Sequence, residues 1–240
     1  MKKIEINSLY KKFGYKNVLV DINFSVEEGE SLVILGKSGT GKSVLLKCIS
    51  GLIKPNSGKI FYDNKLLSSK TKNDFFEQFG MLFQGGALFD SLKIWENITF
   101  KQKYFGKKNS SINRKNLAKE KLNQVGLEEN IIELFPNQIS GGMQRRVAIA
   151  RAIALNPKIV FFDEPTAGLD PFSSNLINKL IKNIISELGA TAVTISHDKD
   201  TIINIADRAI ILDNNLIKWD GKINEKEIKE NKYLSNYWNI

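Results

Sequence analysis

The stretch Ser31–Ile49, SLVILGKSGTGKSVLLKCI, sets a glycine-rich turn between an apolar run and a helical pattern. The short apolar run SLVIL (Ser31–Leu35) is typical of a buried strand. Apolar residues then recur at i, i+4 spacing over Ser43–Ile49, which predicts a helix. The octapeptide between them, GKSGTGKS (Gly36–Ser43), matches the phosphate-binding pattern G-x-x-x-x-G-K-[S/T] in full and in the required context. The alternative is a chance glycine-rich turn.

This octapeptide has the chemistry of a nucleotide phosphate site. Glycines let successive N–H groups curl around phosphate oxygens, and the following helix directs its N-terminal dipole at the same charge. Lys42 would hold the β and γ phosphates, and Ser43 would ligate Mg²⁺. The predicted nucleotide-binding residues of this loop are Gly36, Lys37, Ser38, Gly39, Thr40, Gly41, Lys42 and Ser43.

A second apolar run, IVFF (Ile159–Phe162), ends in two adjacent carboxylates, Asp163 and Glu164. Adjacent like charges repel, so a cation with bound nucleotide would explain them better than an ordinary polar strand end. Asp163 would hold Mg²⁺ through water, and Glu164 would orient or deprotonate the attacking water. The single histidine, His197, follows the run TAVTI (Thr191–Ile195) and is predicted at the same sheet edge, within reach of a γ-phosphate.

The order of these runs predicts an α/β fold. A helix opened by Pro171 and ended by Gly189 lies between the runs at Ile159–Phe162 and Thr191–Ile195, which implies a parallel sheet covered by helices. The first 30 residues alternate apolar and polar and predict a small antiparallel sheet. The predicted apolar stripe of the helix consists of Leu176, Leu180, Ile184 and Leu188, widened by Ile177, Ile181 and Ile185.

The middle of the chain predicts a helical lobe inserted into this core. Helical patterns cover 113–125 and 143–155, with few β-branched runs between them. The predicted organisation is one domain, with residues 1–84 and 157–221 as nucleotide-binding core, 85–156 as helical subdomain and 222–240 as a C-terminal helical tail. The tail, which ends in Tyr233, Leu234, Tyr237 and Trp238, would pack on its own core or on a second copy.

The composition excludes several kinds of site and of cellular location. The 240 residues include one Cys and one His, which excludes an internal disulfide and a His/Cys metal cage. The N-terminus lacks the apolar stretch of a signal peptide, and no run approaches the roughly 18 apolar residues of a membrane span. These features predict a soluble, unexported protein. A net charge of +9, densest over Lys101–Lys121, is typical of a solvated helix face; without stacking aromatics we expect no nucleic-acid partner.

The motifs GKSGTGKS, MLFQGG, SGGMQ, FFDEP, GLDP and SHD, in that order, resemble those of the ATP-binding cassette (ABC) ATPases over roughly residues 5–220. The resemblance implies a P-loop (RecA-like) parallel-sheet core, an N-terminal antiparallel β subdomain, an inserted α-helical subdomain, and hydrolysis of ATP with Mg²⁺. It also implies a head-to-tail homodimer, because the P-loop and the signature motif each occur once and would complete two shared sites.

Further site residues come from this resemblance. The signature motif consists of Ser140, Gly141, Gly142 and Met143, with Met143 in place of the usual Gln. It would contact the γ-phosphate of ATP bound to a second subunit. Gln84 would touch Mg²⁺ and the attacking water, and Asp170 would lie in the loop that crosses the dimer interface. Phe13 would stack on adenine, with Tyr10 as the alternative. Arg145 and Arg146, next in the motif, fit either interface support or a solvated helix face.

The segment GGALF (Gly85–Phe89) and the Met of the signature are similar to the ATPases of Mla/MCE-type lipid transporters. That resemblance implies phospholipid transport with a polytopic permease, an MCE-domain lipid-binding protein and, in some systems, a STAS-domain subunit. The chain would lie on the cytoplasmic face of the inner membrane. Leu88 and Phe89 would receive the permease or else pack inside their own lobe. The alternatives are an importer of polar amino acids or ions and a non-transport cassette acting on ribosomes or DNA.

Overall fold

The structure is a computed structural model that describes residues 1–105, 111–223 and Leu234, without the side chains of residues 104, 105, 111 and 112. Its strands are β1 (Lys2–Phe13), β2 (Lys16–Glu27), β3 (Ser31–Leu35), β4 (Ser57–Tyr62), β5 (Lys65–Leu66), β6 (Phe79–Leu82), β7 (Ile159–Asp163), β8 (Thr191–Ile195), β9 (Arg208–Asp213) and β10 (Leu216–Lys222). Its α-helices are α1 (Lys42–Ile49), α2 (Lys72–Gln78), α3 (Ile94–Ile98), α4 (Phe100–Phe105), α5 (Ser111–Gln124), α6 (Gly141–Ile153), α7 (Pro171–Leu188) and α8 (Lys199–Ile205).

The described residues form two compact units. The first unit consists of Met1–Phe76 and the described residues from Thr191 onward, and the second is Glu77–Ala190. The division into a nucleotide-binding core and a helical subdomain, with a boundary after residue 84, stays a prediction. Of the predicted helical tail 222–240, Lys222 instead ends strand β10, because it pairs with Arg208 of β9, and Ile223 follows it. Leu234 is buried, and the other tail residues lie outside the described residues.

An antiparallel sheet occupies the start of the first unit, in the order β2-β1-β4-β5. Strands β1 and β2 pair antiparallel, which confirms the antiparallel sheet predicted for the first 30 residues. Their side chains largely alternate between the core and solvent, with the apolar ones mostly in the core. Asp63 and Asn64, both at positive φ, form the tight turn between β4 and β5. Two consecutive left-handed residues suit the twist of a hairpin.

Strand β3 lies at the centre of the parallel strands of the first unit. It pairs in parallel with β8 on one side and β9 on the other, and β10 returns antiparallel on β9. All five residues of β3 and of β8 are buried, as their continuous apolar sequences predict. Helix α1 follows β3 and buries Cys48, a free thiol whose pKa rises to about 11 because burial outweighs the opposing charge of Lys11.

In the second unit, β6 and β7 pair in parallel and α6 packs closely against β6. Gly80 makes this close packing possible, because a Cβ on Gly80 would overlap the carbonyl oxygen of Ala152 on α6. The ring of Pro157 also lies within 3.1 Å of that Cβ position. Backbone carbonyl and proline ring are both poorly able to move aside.

We therefore expect Gly80→Ala to destabilise the protein by about 1–3 kcal/mol or more, the usual cost of overpacking a core. The φ of Gly80 is not in the left-handed region, so the effect would come from packing alone. Thermal unfolding of the variant beside the wild type measures it. Equal melting temperatures would show that α6 and β6 are not held in this close contact.

Helix α7 begins and ends as its sequence predicts. Asp170 caps its N-terminus through a hydrogen bond from the Ser173 N–H, at 2.9 Å, and Gly189 ends it at a φ of 58°. The predicted stripe is partly wrong: Leu176 is exposed, and Leu180 and Leu188 are half-buried. The buried face instead consists of Ile177, Asn178, Ile181, Ile184 and Ile185. Leucine spacing alone did not distinguish this face from its neighbour.

Four described lysines of the basic stretch make contacts within the second unit. Lys115 binds Glu133, Lys119 binds Glu129, and the buried Lys121 binds Glu120 and the side-chain oxygen of Asn156. Lys101 donates to the carbonyl oxygens of Glu77 and Phe79, and burial lowers its pKa to about 8. These lysines thus tie helices to nearby segments.

Among the described residues, none of the helices has the length and apolar character needed to cross a bilayer.

Candidate nucleotide-binding and hydrolysis site

The phosphate loop lies at the carboxyl end of β3 in the first unit. Gly36 is buried directly after the strand, and a Cβ there would lie 2.5 Å from the carbonyl oxygen of Leu212 on β9. Gly39 is at a φ of 83° with no atom near its Cβ position, and Gly41 is at 101° against Val18. The glycines therefore serve two purposes: they seat the loop against its neighbours, and they leave its outer side open.

Helix α1 begins within this loop. Gly41 is its N-cap and makes no side-chain capping hydrogen bond, and the first turn contains no acidic residue. The buried Lys42 extends its ammonium group to the carbonyl oxygens of Gly36, at 2.8 Å, and Lys37, at 3.1 Å. Ser43 follows in the first turn and is half-buried. A cation and the positive end of a helix dipole are thus concentrated at one loop, as a polyphosphate ligand requires.

His197 comes to the same edge as the phosphate loop. Ile34 of β3 pairs in parallel register with Ile195 of β8, so Gly36 and His197 each emerge two residues beyond a paired position. The N–H of Ser196 also donates to the Ile34 carbonyl, at 3.4 Å. The His197 side chain is exposed. His197 therefore lies beyond the carboxyl end of β8, as predicted. Its place at the same edge as Asp163 and its contact with a γ-phosphate stay predictions.

Phe13 and Tyr10 both lie near the end of β1 with exposed rings. The ammonium of Lys11 is 4.8 Å from the centre of the Phe13 ring, and the ring remains 49% exposed. A ring with a cation on one side and exposed surface remaining can still stack on a base. Which of the two aromatics contacts adenine stays a prediction.

In the second unit, β7 ends at the first predicted carboxylate, Asp163, and the second, Glu164, follows it. Asp163 is only 3% exposed, whereas Glu164 is half-buried and holds a left-handed backbone at a φ of 51°. A glutamate rarely adopts this conformation, and such strain concentrates at functional sites. Asp170 lies on the same loop, and its hydrogen bonds with Ser173 lower the pKa of its carboxyl group.

The signature segment lies at the start of α6. Ser140 is the N-cap and its hydroxyl accepts from the Met143 N–H at 3.3 Å. A Cβ on Gly141 or on Gly142 would meet no atom within 4 Å. Neither glycine has a positive φ. Nothing in the described part of the chain therefore requires glycine here, so these positions are open to something outside it.

Gln84 is exposed and opens a loop with an unusual backbone. Gly85, Gly86 and Ala87 are all left-handed, at φ values of 73°, 83° and 49°. Arg151 of α6 donates to the carbonyl oxygens of Gly86, at 2.5 Å, and Ala87, at 2.8 Å. Burial lowers the pKa of this guanidinium to about 10. The loop after Gln84 is thus held in shape by a half-buried cation that sequence reasoning missed, and no local pattern signals it.

The loop after Gln84 continues with the two apolar residues Leu88 and Phe89. The side chain of the buried Asn97 accepts from the N–H of Phe89, at 2.8 Å, and donates to three backbone carbonyls. The Phe89 ring packs on Phe100, 4.5 Å between centres, and stays 42% exposed, while Leu88 is half-buried. Phe89 therefore both packs inside its own unit and presents apolar surface.

Each unit contains one set of predicted site residues. The first holds Gly36–Ser43, His197 and Phe13, and the second holds Gln84, Ser140–Met143, Asp163, Glu164 and Asp170. Arg145, for which the sequence allows a solvated position, is instead buried and donates to the Ala167 carbonyl at 2.9 Å. A positive charge two residues after a signature motif is no signal for such a contact.

Known proteins are similar to this chain in sequence and in fold. The chain is 40% identical over 206 residues to the probable ribonucleotide transport ATP-binding protein mkl of Mycobacterium tuberculosis, covering 85% of this chain and 56% of that protein. It is 37% identical over 212 residues to the intermembrane phospholipid transport system ATP-binding protein MlaF of Haemophilus influenzae, covering 87% and 80%. It is 38% identical over 226 residues to the arginine transport ATP-binding protein ArtM of Bacillus subtilis, covering 93% and 92%.

The chain thus spans about half the length of the mycobacterial relative. Its fold is similar to the dimeric structure of a post-hydrolysis state of the ATP-binding cassette MJ0796 bound to ADP and Pi, with a TM-score of 0.83 and 33% identity. That match covers 92% of this chain and 99% of the other, which confirms the predicted fold class. Residues 19–167 match the family described as ABC transporter. The chain therefore belongs to the ABC transporter family and has the fold of its ATP-hydrolysing cassettes.

Proposed function

We propose that this chain is the ATP-binding and ATP-hydrolysing subunit of an ABC transporter and acts as a head-to-tail homodimer. The open glycines at the start of α6 carry the proposal, because the described chain itself gives no reason for them. A phosphate group of ATP bound to the P-loop of a second copy would fill that space and meet the N-terminal N–H groups of α6. The dimeric assembly of MJ0796 supports the same arrangement.

Within each shared site the residues take distinct roles. Lys42 and the loop N–H groups bind the β and γ phosphates, and Phe13 or Tyr10 stacks on the adenine. Glu164 orients or deprotonates the attacking water, and His197 contacts the γ-phosphate. Asp170 crosses to the second copy, where Ser140 and the open glycines complete the site.

The residues present fit a magnesium ion. Ser43, with a hydroxyl, and Asp163, with a buried carboxylate, are oxygen donors of the kind Mg²⁺ prefers, and Gln84 adds an amide oxygen. When bound, the ion would neutralise charge on the phosphates during transfer. The chain's own part is to supply these oxygen donors and to keep Asp163 away from bulk water.

Transport follows from closure and reopening of the dimer. ATP shared between two copies draws them together, and their helical lobes move a membrane-embedded permease. Hydrolysis removes the γ-phosphate contacts and leaves like charges at the interface, so the dimer reopens. The exposed Phe89 and the braced loop beside it would contact the permease on the cytoplasmic face of the inner membrane.

For cargo we propose phospholipid or another lipid. The GGALF segment and Met143 favour it, and so does the similarity to MlaF. The remaining partners would be an MCE-domain lipid-binding protein and, in some systems, a STAS-domain subunit. The similarity to ArtM favours a second candidate, an importer of polar amino acids, since that match covers more of both chains.

Co-purification from membranes of the native host tests the cargo. We expect the tagged chain to bring down a permease and an MCE-domain protein, with phospholipid found by mass spectrometry. Recovery of a soluble amino-acid-binding protein instead would favour the importer, and absence of any permease would contradict transport. Phe89→Asp should lose the permease while still binding ATP; Tyr15→Asp, a fully exposed aromatic on the β1–β2 turn, is the matched control and should keep it.

A further inference from the structure

Arg145 of α6 makes one specific contact from a buried position. Its side chain is 7% exposed, and its Nη2 donates to the carbonyl oxygen of Ala167 at 2.9 Å. Burial lowers the pKa of its guanidinium. The described residues offer this cation no ion pair, and its buried Nη1 has no hydrogen-bond partner among them.

The segment that Arg145 holds runs from Glu164 to Asp170. It consists of two overlapping turns, in which the Ala167 N–H donates to the Glu164 carbonyl and the Leu169 N–H donates to the Thr166 carbonyl, both at 3.2 Å. Ala167 therefore lies where the two turns overlap. A hydrogen bond to its carbonyl constrains both carboxylate-bearing ends of the segment at once.

Stability alone gives a poor reason for this arginine. Burial of a cation is costly unless charge and hydrogen bonds are matched, and here one nitrogen is not. An apolar side chain of similar length would fill the same space without that penalty. The contact is better explained by what it positions, because Ser140 and the open glycines lie at the start of the same helix, α6.

We infer that Arg145 is a positioning residue for ATP hydrolysis, an inference that rests on the proposed function. Through Ala167, it fixes the segment Glu164–Asp170 relative to the start of α6. The segment that activates water and the helix end that serves the second ATP are thereby joined in one rigid piece. Arg145 itself touches neither nucleotide nor water.

The test compares Arg145→Met, Arg145→Lys and the wild type. We expect Arg145→Met to lower kcat on the order of tenfold to a hundredfold, as misplacement of catalytic groups does. The KM for MgATP should stay within about twofold of the wild type, because the P-loop that dominates binding is unchanged. Its melting temperature should be equal or higher. Arg145→Lys, which can still donate to the Ala167 carbonyl, should recover most of kcat.

Lys119→Met is the control, because Lys119 lies in the same unit and pairs with Glu129 at 3.1 Å, away from the Glu164–Asp170 segment in sequence. It should keep kcat within about threefold. Amide hydrogen exchange should accelerate over residues 164–170 in Arg145→Met and not in the control. No hydrolysis by the wild type would defeat the proposed function. Hydrolysis by Arg145→Met at the wild-type rate, or a loss matched by general destabilisation and not recovered by Lys, would overturn the inference alone.

Discussion

Glu164→Gln is expected to lower ATP turnover by about 10²–10⁴-fold, the usual contribution of a general base, and to leave nucleotide binding intact. Gln has the same size and can adopt the same left-handed backbone as Glu164, at a φ of 51°. It loses the negative charge that would orient and deprotonate water. Steady-state hydrolysis and equilibrium binding of a fluorescent ATP analogue measure the two effects separately.

The stability of this variant provides its control. Because the exchange is isosteric, the melting temperature should change little, so a lost turnover would report chemistry and not folding. The same variant should accumulate as an ATP-bound dimer on size-exclusion chromatography, since the closed state cannot decay by hydrolysis. Turnover at the wild-type rate would refute the role given to Glu164.

Gly142→Ala is expected to act on stability and turnover in opposite directions. Alanine is a better helix former than glycine by up to about 1 kcal/mol, and its Cβ would meet no atom of the described chain. The melting temperature should therefore stay the same or rise by a few degrees, roughly 2–4 °C per kcal/mol for a chain of this size. Turnover should fall at least about tenfold, because the new methyl group would occupy the space that a phosphate of the second copy requires.

Ser140→Arg extends the test with a larger group. It should block hydrolysis while each copy still binds nucleotide at its own P-loop. It also removes an N-cap, which costs about 0.5–2 kcal/mol of stability. Gly142→Ala therefore separates a lost phosphate site from lost stability more cleanly. Gly80→Ala is the matched contrast, since the same exchange at a crowded glycine should destabilise. Unchanged hydrolysis in both signature variants would show that the ATP site is not shared between copies.

The sequence predicts the elements around the phosphate loop closely, because they are dictated by local chemistry. Strands over Ser31–Leu35 and Thr191–Ile195 have the predicted bounds, and the helix after the loop begins one residue earlier than predicted, at Lys42. Continuous apolar runs, a Gly-rich turn and a Pro-to-Gly helix are signals that tertiary structure seldom overrides.

Several features were not predicted, one with a local signal and the others decided by distant neighbours. The hairpin of β9 and β10 turns at Asn214 and Asn215, both left-handed, and this Asn-Asn pair was a usable signal that went unread. Nothing local shows that Arg145 reaches Ala167 or that Arg151 braces Gly86, because these contacts join segments 22 and 65 residues apart. The burial of Asn178 on α7 is equally invisible to a pattern of apolar residues.

The seclusion of Cys48 has a practical consequence for labelling chemistry. It is the only cysteine of the chain, it is fully buried, and a pKa near 11 keeps it as an unreactive thiol at neutral pH. A maleimide dye or an oxidative cross-link should therefore find only a cysteine introduced at the surface. Pairs of probes between two copies can be installed without first removing the native sulfur.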